Sequence, residues 1–277
     1  MKRILTIQDI SCVGKCSLTV ALPIISAMGV EAAVMPTAVL STHTQFSGFT
    51  FRDLTDDMLP IAKHWKNENI DFDAIYTGYL GSFEQLDIVG KIFDDFKIPK
   101  TKIIVDPVMA DGGKLYKGFT EEFAHSMASL CAKANVIVPN LTEASFMLGV
   151  PYVGDDYDEK YIKEMLSKLC ALGTKIAVLT GVSLNAGKLG VMSLDSQSGE
   201  YFYYEREHLP VAYHGTGDIF ASAFTGALSL GKSTSEALRI ATDYTVECIS
   251  LTLADENRRT YGVNFEQAIP YLVERIK

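Results

Sequence analysis

Apolar residues along the chain gather in two kinds of run. Ile4–Ile7, Ala33–Val39, Ala74–Thr77, Ile103–Val108, Val136–Pro139 and Ile176–Thr180 are short, β-branched and apolar nearly throughout, which predicts strands covered on both faces. Between them, apolar positions recur at helical spacing over Cys16–Met28, Asp56–Glu68, Phe83–Phe96, Glu121–Lys133 and Tyr157–Leu172. These segments read as helices. Asp155, Asp156, Asp158 and Glu159 gather at the start of the last one, where the helix dipole favours carboxylates. Alternation of this kind predicts an α/β fold of three layers, α/β/α, around a mainly parallel central sheet.

After Thr180 the period changes. Leu189–Leu194 and Tyr201–Glu205 flank the turn-rich Asp195-Ser196-Gln197-Ser198-Gly199, the pattern of an antiparallel hairpin, here at a sheet edge. The rest reads as helices Gly217–Leu230, Ser233–Leu253 and Asn264–Ile276, with Gly231 as a C-cap. No repeat, low-complexity tract or Pro/Ser-rich linker interrupts the pattern, so one domain over residues 1–277 is expected.

Charge narrows the function. With 25 Lys+Arg against 34 Asp+Glu, the net charge is -9, which argues against binding nucleic acid or an anionic membrane. An anionic ligand must therefore be captured locally. The most apolar stretch, Leu18 to Val30, contains Pro23 and Gly29 and falls short of the roughly 20 residues that span a bilayer. Met1-Lys2-Arg3 is followed by a short β-like run and then Gln8 and Asp9, not by the apolar core of a secretion signal. A cytoplasmic location is expected. Five scattered cysteines, Cys12, Cys16, Cys131, Cys170 and Cys248, predict reduced, mostly buried thiols rather than a disulfide framework.

Three segments carry candidate chemistry. His214-Gly215-Thr216-Gly217-Asp218 leads into a run of small residues. Glycines at a helix start expose amides to phosphate oxygens, and a carboxylate there suits a proton acceptor for an attacking hydroxyl; a plain Gly-rich turn with Asp in the first helical turn is the alternative. Asp106-Pro107-Val108-Met109 ends a buried strand, where parallel sheets hold ligands, or Asp106 merely caps backbone amides. The following Asp111-Gly112-Gly113 reads as a mobile loop. In Pro139-Asn140-Leu141-Thr142-Glu143, Asn140 and Glu143 share one side of a first helical turn and suit hydrated Mg²⁺; by itself, a role of Thr142 and Glu143 in capping the helix start is the better reading.

Two patterns are set aside. Gly14-Lys15-Cys16-Ser17 has Asp9 where a phosphate-binding P-loop needs its first Gly, and Cys16 follows the Lys. Cys12 and Cys16 have no second Cys/His pair at zinc spacing.

In this order the segments resemble the ribokinase-like superfamily from Ile4 to about Ala254. Ile7-Gln8, Ser41-Thr42-His43-Thr44-Gln45-Phe46, Thr77-Gly78-Tyr79-Leu80-Gly81-Ser82 and Asp106-Pro107-Val108-Met109 narrow the resemblance to the pyridoxal (vitamin B6) kinases. The resemblance implies ATP-dependent phosphorylation of the 5′-hydroxymethyl of pyridoxal, pyridoxine or pyridoxamine. It makes Asp218 the general base and Gly215, Thr216 and Gly217 the anion hole. Asp106, Asn140 and Glu143 would organise Mg²⁺, mostly through water, and Asn140, Thr180 and Gly181 would border the nucleotide. The vitamer ring would meet Asp9, Ser11, His43, Thr44 and Tyr79, under a flap from Asp111 to Gly118 that includes Gly112, Gly113 and Lys114. A monovalent cation and a homodimer are carried by the resemblance alone.

One position departs from the pattern. Asp9 stands where many pyridoxal kinases have Ser, and a carboxylate there implies a preference for the cationic amine of pyridoxamine. The rival readings are a hydroxymethylpyrimidine kinase of thiamin synthesis and a non-catalytic vitamer- or nucleotide-binding protein. A dehydrogenase is disfavoured, because no Gly-x-Gly-x-x-Gly follows the first strand.

Overall fold

The computed structural model describes residues 1–277. In chain order the elements are β1 (Arg3–Ser11), α1 (Leu18–Ala27), β2 (Glu31–Leu40), β3 (Phe51–Asp53), α2 (Thr55–Asn67), β4 (Ala74–Thr77) and α3 (Phe83–Phe96). Then come β5 (Lys102–Val105), β6 (Ala110–Asp111), β7 (Lys114–Leu115), α4 (Glu121–Cys131), β8 (Val136–Ile137), α5 (Leu141–Leu148) and α6 (Glu159–Ala171). The chain finishes with β9 (Ile176–Val182), β10 (Lys188–Asp195), β11 (Glu200–Glu207), α7 (Thr216–Ser229), α8 (Thr234–Ala254) and α9 (Phe265–Arg275). It divides into two compact units: Met1–Gly78 with Leu209–Lys277, and Tyr79–His208.

In the first unit the strand order is β4-β1-β2-β3. β1 runs parallel to β2 and β4, with Ile4 opposite Ala32 and Ala74, while β3 pairs antiparallel with β2. Ile4, Leu5, Ile7, Met35 and Ile75 are fully buried, as strands covered by helices on both faces require. Every residue of α7 from Ile219 to Ser229 is buried. Close packing there uses the absence of a side chain: a Cβ on Gly226 would stand 2.4 Å from Met28 Sδ, so the Met28 side chain would have to move to admit one.

In the second unit the order is β11-β10-β9-β8-β5. β5, β8 and β9 are parallel, and β10 and β11 form the expected antiparallel edge hairpin, turning where Asp195 pairs with Glu200. The fold is thus α/β with a mainly parallel sheet flanked by helices.

Several boundaries differ from the sequence reading for local reasons. β5 stops at Val105 because Pro107 has no amide to pair and Val108 takes a φ of 24°. α1 starts at Leu18 rather than Cys16, because Lys15 and Ser17 are left-handed at φ 54° and 51°. The short β3 and the β6–β7 pair had no clear apolar signal. The thiols are less buried than expected: Cys131 and Cys248 are buried, Cys16 and Cys170 partly so, and Cys12 is exposed. No helix is long and apolar enough to cross a membrane.

Candidate active site

In the first unit, the pairing of β1 with β2 shifts register between Gln8 and Ile10. Asp9 occupies this bulge, 4% exposed; bulges commonly re-aim a side chain beside a site. Ser11 Oγ donates to Asp9 Oδ2 at 2.9 Å, and the Ser17 hydroxyl hydrogen-bonds the same carboxylate. Burial raises the Asp9 pKa, while the two serines oppose the rise.

Asp218, in the first turn of α7, is partly accessible and accepts from the Ser17 amide. Burial is the main cause that pushes its carboxyl up to about 7, with the Asp9 charge adding to it and the Ser17 amide opposing. A carboxylate with that pKa is matched to proton transfer near neutral pH. Cys16 lies beside both acids, and burial, then Asp218 and Asp9, push its thiol up to about 12. It stays a neutral thiol.

Gly215 is the N-cap of α7 at φ 81°. A Cβ there would stand 2.0 Å from the Lys15 carbonyl oxygen, so both the conformation and the close approach demand glycine. The first helical bond runs from Ile219 N to Gly215 O at 2.9 Å, and no side chain caps the turn. The amides of Thr216, Gly217 and Asp218 therefore point out of the helix start. No atom lies within 4 Å of a Cβ position on Gly217, which leaves room for an anionic oxygen. Gly217 sits inside the helix rather than ahead of it.

His43 is buried. Its Nδ1 accepts from Gln45 N at 3.1 Å, so Nε2 carries the proton and donates to Tyr261 O at 3.1 Å. Its ring stacks on His214 at a centroid distance of 5.0 Å and meets Phe46 edge-on at 5.1 Å. Burial, then the neighbouring His214, lowers its pKa against the pull of the Tyr261 carbonyl, so the imidazole is neutral. Thr44 is exposed. Lys15 Nζ is occupied by Val263 O, Asn264 Oδ1 and Glu266 Oε2, which supports setting aside a P-loop role.

In the second unit, Asp106 follows β5 and is 7% exposed. Asn140 and Glu143 form a capping box at the start of α5: Glu143 Oε2 accepts from Asn140 N at 2.9 Å, and Glu143 N donates to Asn140 Oδ1 at 2.9 Å. Glu143 Oε1 accepts from Met109 N at 3.0 Å, and Asn140 Nδ2 donates to Ala110 O at 2.8 Å. Burial outweighs these amides and pushes the Glu143 carboxyl up to about 7. The capping box thus also holds the chain just after Asp106, at Met109 and Ala110. Asn140 bridges to Thr180 in parallel register, and Gly181 follows at φ 73°.

The Asp111–Lys114 segment is a tight hairpin rather than the mobile loop expected. Ala110 pairs with Leu115 and Asp111 with Lys114, and positive φ at Gly112 and Gly113 matches a type I′ turn. Gly113 N donates to Thr142 Oγ1 at 3.0 Å, tying the hairpin to α5. The Tyr79 ring lies 5.6 Å from that of Phe119.

Oxygen donors of this kind suit Mg²⁺, which keeps several waters and needs few protein ligands. No cluster of three or more His, Cys, Asp or Glu residues is present, so any Mg²⁺ here would be held largely by water and phosphate. The Glu143 carboxylate accepts amides from Asn140, Met109 and Ala110, three of its roughly four lone-pair sites, and keeps one for such a shell. The residues fit the ion.

Ser17 was missed by sequence reasoning. It closes the Gly14-Lys15-Cys16-Ser17 pattern, and its hydroxyl turns to Asp9 instead of capping α1.

The parallel sheet and the Gly-Thr-Gly-Asp turn define a kinase of the ribokinase-like class. Residues 21–262 match the phosphomethylpyrimidine kinase family, and the chain belongs to it. A crystal structure from Bacteroides thetaiotaomicron, described as a phosphomethylpyrimidine kinase and obtained with pyridoxal, is 41% identical with a TM-score of 0.93, covering 98% of this chain and 95% of that one. The pyridoxal kinase of Lactobacillus plantarum is 30% identical with a TM-score of 0.90, covering 99% and 97%. Pyridoxal kinase PdxY of Histophilus somni is 28% identical over 247 residues, 86% of this chain and 84% of that protein.

Proposed function

We propose that residues 1–277 act as one kinase domain, which transfers the γ-phosphoryl of ATP to the 5′-hydroxymethyl of pyridoxal, pyridoxine or pyridoxamine. The observation that carries the reaction type is Asp218, a carboxylate with a pKa near 7 in the first turn of a helix whose amides are open to an anion. Phosphoryl transfer asks the protein for positioning and charge stabilisation more than covalent chemistry. Asp218 takes the proton of the hydroxymethyl group as its oxygen attacks the γ-phosphorus and the bond to ADP breaks. The amides of Gly215, Thr216 and Gly217 receive the transferred phosphoryl oxygens. Asp106 and Glu143 would hold Mg²⁺, which would supply charge neutralisation for the phosphates, and Asn140, Thr180 and Gly181 border the nucleotide. The Asp111–Lys114 hairpin serves as the flap.

The vitamer assignment draws on the pyridoxal in the 41%-identical relative and on two pyridoxal kinases of similar length. Asp9, Ser11, His43, Thr44 and Tyr79 line the ring site in this reading. His43 offers its ring rather than a free nitrogen, since both nitrogens are already bonded. A cytoplasmic homodimer that uses a monovalent cation completes the proposal.

The matched family's description keeps one second reading, phosphorylation of hydroxymethylpyrimidine. ADP release measured with pyridoxal, pyridoxine, pyridoxamine and hydroxymethylpyrimidine separates the two. The expected result is turnover on the three vitamers with little on the pyrimidine; the reverse order overturns the assignment.

A further inference from the structure

Residues 14–17 of the first unit carry two non-glycine residues in the left-handed region, Lys15 at φ 54° and Ser17 at φ 51°. Such conformations persist only where the surroundings impose them. Lys15 Nζ donates to Glu266 Oε2 at 2.8 Å, Val263 O at 3.1 Å and Asn264 Oδ1 at 3.4 Å. An ammonium has three donors, and all are engaged. The side chain is 18% exposed, and the Phe265 ring lies 5.7 Å from Nζ. The backbone is equally confined. A Cβ on Gly262 would stand 2.6 Å from Lys15 Cβ, and one on Gly215 would stand 2.0 Å from Lys15 O.

A cation beside a helix N-terminus opposes the helix dipole, so Lys15 is poorly placed to serve the stability of α9. What it does hold is the loop. Two residues on, Ser17 presents its amide to Asp218 and its hydroxyl to Asp9, and the Lys15 carbonyl abuts the turn that starts α7. We propose that Lys15 is a positioning residue for phosphoryl transfer: its ammonium, locked at the start of α9, fixes the 15–17 backbone so that the Ser17 amide stays on the Asp218 carboxylate. The ammonium itself does not touch phosphate. This inference rests on Asp218 being the base.

Kinetics of Lys15→Met, Lys15→Arg, Glu266→Gln and Asp218→Asn test it, with the folded fraction of each followed by circular dichroism. Lys15→Met should lower kcat roughly 10- to 100-fold, the scale of a small misplacement at a reacting group, and leave KM for ATP within about twofold. Lys15→Arg should recover part of the loss, and Glu266→Gln should show a smaller one. The acid limb of kcat against pH should move to higher pH in Lys15→Met, because Asp218 loses the amide that lowers its pKa; the titratable groups beside it are Asp9 on β1, which loses the Ser17 hydroxyl, and Cys16, which moves with the loop as a neutral thiol. A purely structural role would lower the folded fraction and leave that limb in place. Wild-type kcat in folded Lys15→Met, or a loss fully accounted for by unfolding with the limb unmoved, overturns the proposal. If Lys15→Met does not fold, the same outcomes are read from Glu266→Gln. Normal turnover by Asp218→Asn removes the base assignment itself; an inactive Asp218→Asn beside a normal Lys15→Met removes only the role of Lys15.

Discussion

At the scale of single residues, two carboxylates share one serine. Ser17 gives its hydroxyl to Asp9 and its amide to Asp218, and burial, with a smaller push from the Asp9 charge, raises the Asp218 carboxyl to about 7. Asp218→Asn removes the proton acceptor without changing shape, so kcat should fall roughly 10²–10⁴-fold while ATP binding, followed by calorimetry, persists. With the carboxyl at about 7, kcat should rise through neutral pH as the base ionises; a rate flat from pH 5 to 8 contradicts this. Gly215→Ala is expected to be both unstable and inactive, because its Cβ would meet the Lys15 carbonyl at 2.0 Å in a left-handed conformation; a wild-type melting temperature would refute that. Asp9 is engaged by serines, which bears on the vitamer preference expected of it. Asp9→Ser should alter relative rates on pyridoxamine and pyridoxal if the carboxylate reads the amine, and similar ratios in both proteins would sink that idea. Asp218 and Gly215 were legible in the sequence because a Gly-Thr-Gly-Asp turn is a local feature. Ser17 was not, since its partners lie on β1 and α7.

At the scale of elements, caps and strand ends position the residues of the proposed site. α5 begins on the Asn140–Glu143 capping box, and the same Asn140 holds the Ala110 carbonyl at the root of the hairpin. Asn140→Ala should cost about 1 kcal/mol as a lost N-cap and also raise KM for ATP; the urea midpoint and the KM check the two effects separately. An unchanged KM would assign Asn140 to capping alone. The sequence reading located α3 and β4 with their observed ends, because their apolar runs coincide with their pairing. It overran at β5 and α1, where Pro107 and the left-handed Lys15 and Ser17 intervene. The β6–β7 hairpin escaped notice because two residues per strand carry no periodicity, although Gly112-Gly113 is the turn signal such a hairpin requires.

At the scale of the molecule, two carboxyls raised by desolvation shape the response to pH. The carboxyls of Asp218 and Glu143 rise from 3.8 and 4.5 to about 7. The folded state therefore holds these protons more tightly than the unfolded chain. Their contribution to stability is complete below about pH 4 and is lost as pH rises through about 7. Urea midpoints for wild type, Asp218→Asn and Glu143→Gln between pH 4 and 8 should show the wild type losing more stability than either variant. Parallel curves would disprove the shift. Sequence alone determined the α/β class, the order of elements, the edge hairpin and the Gly-Thr-Gly-Asp turn, because hydrophobic period and turn chemistry act over a few residues. Only the tertiary structure decided which acids share a neighbourhood, that Lys15 is tied to α9, and that the Asp218 carboxyl is raised. Those depend on burial and on contacts between residues some 200 positions apart, such as Lys15 with Glu266 at |i−j| of 251, and no local pattern encodes them.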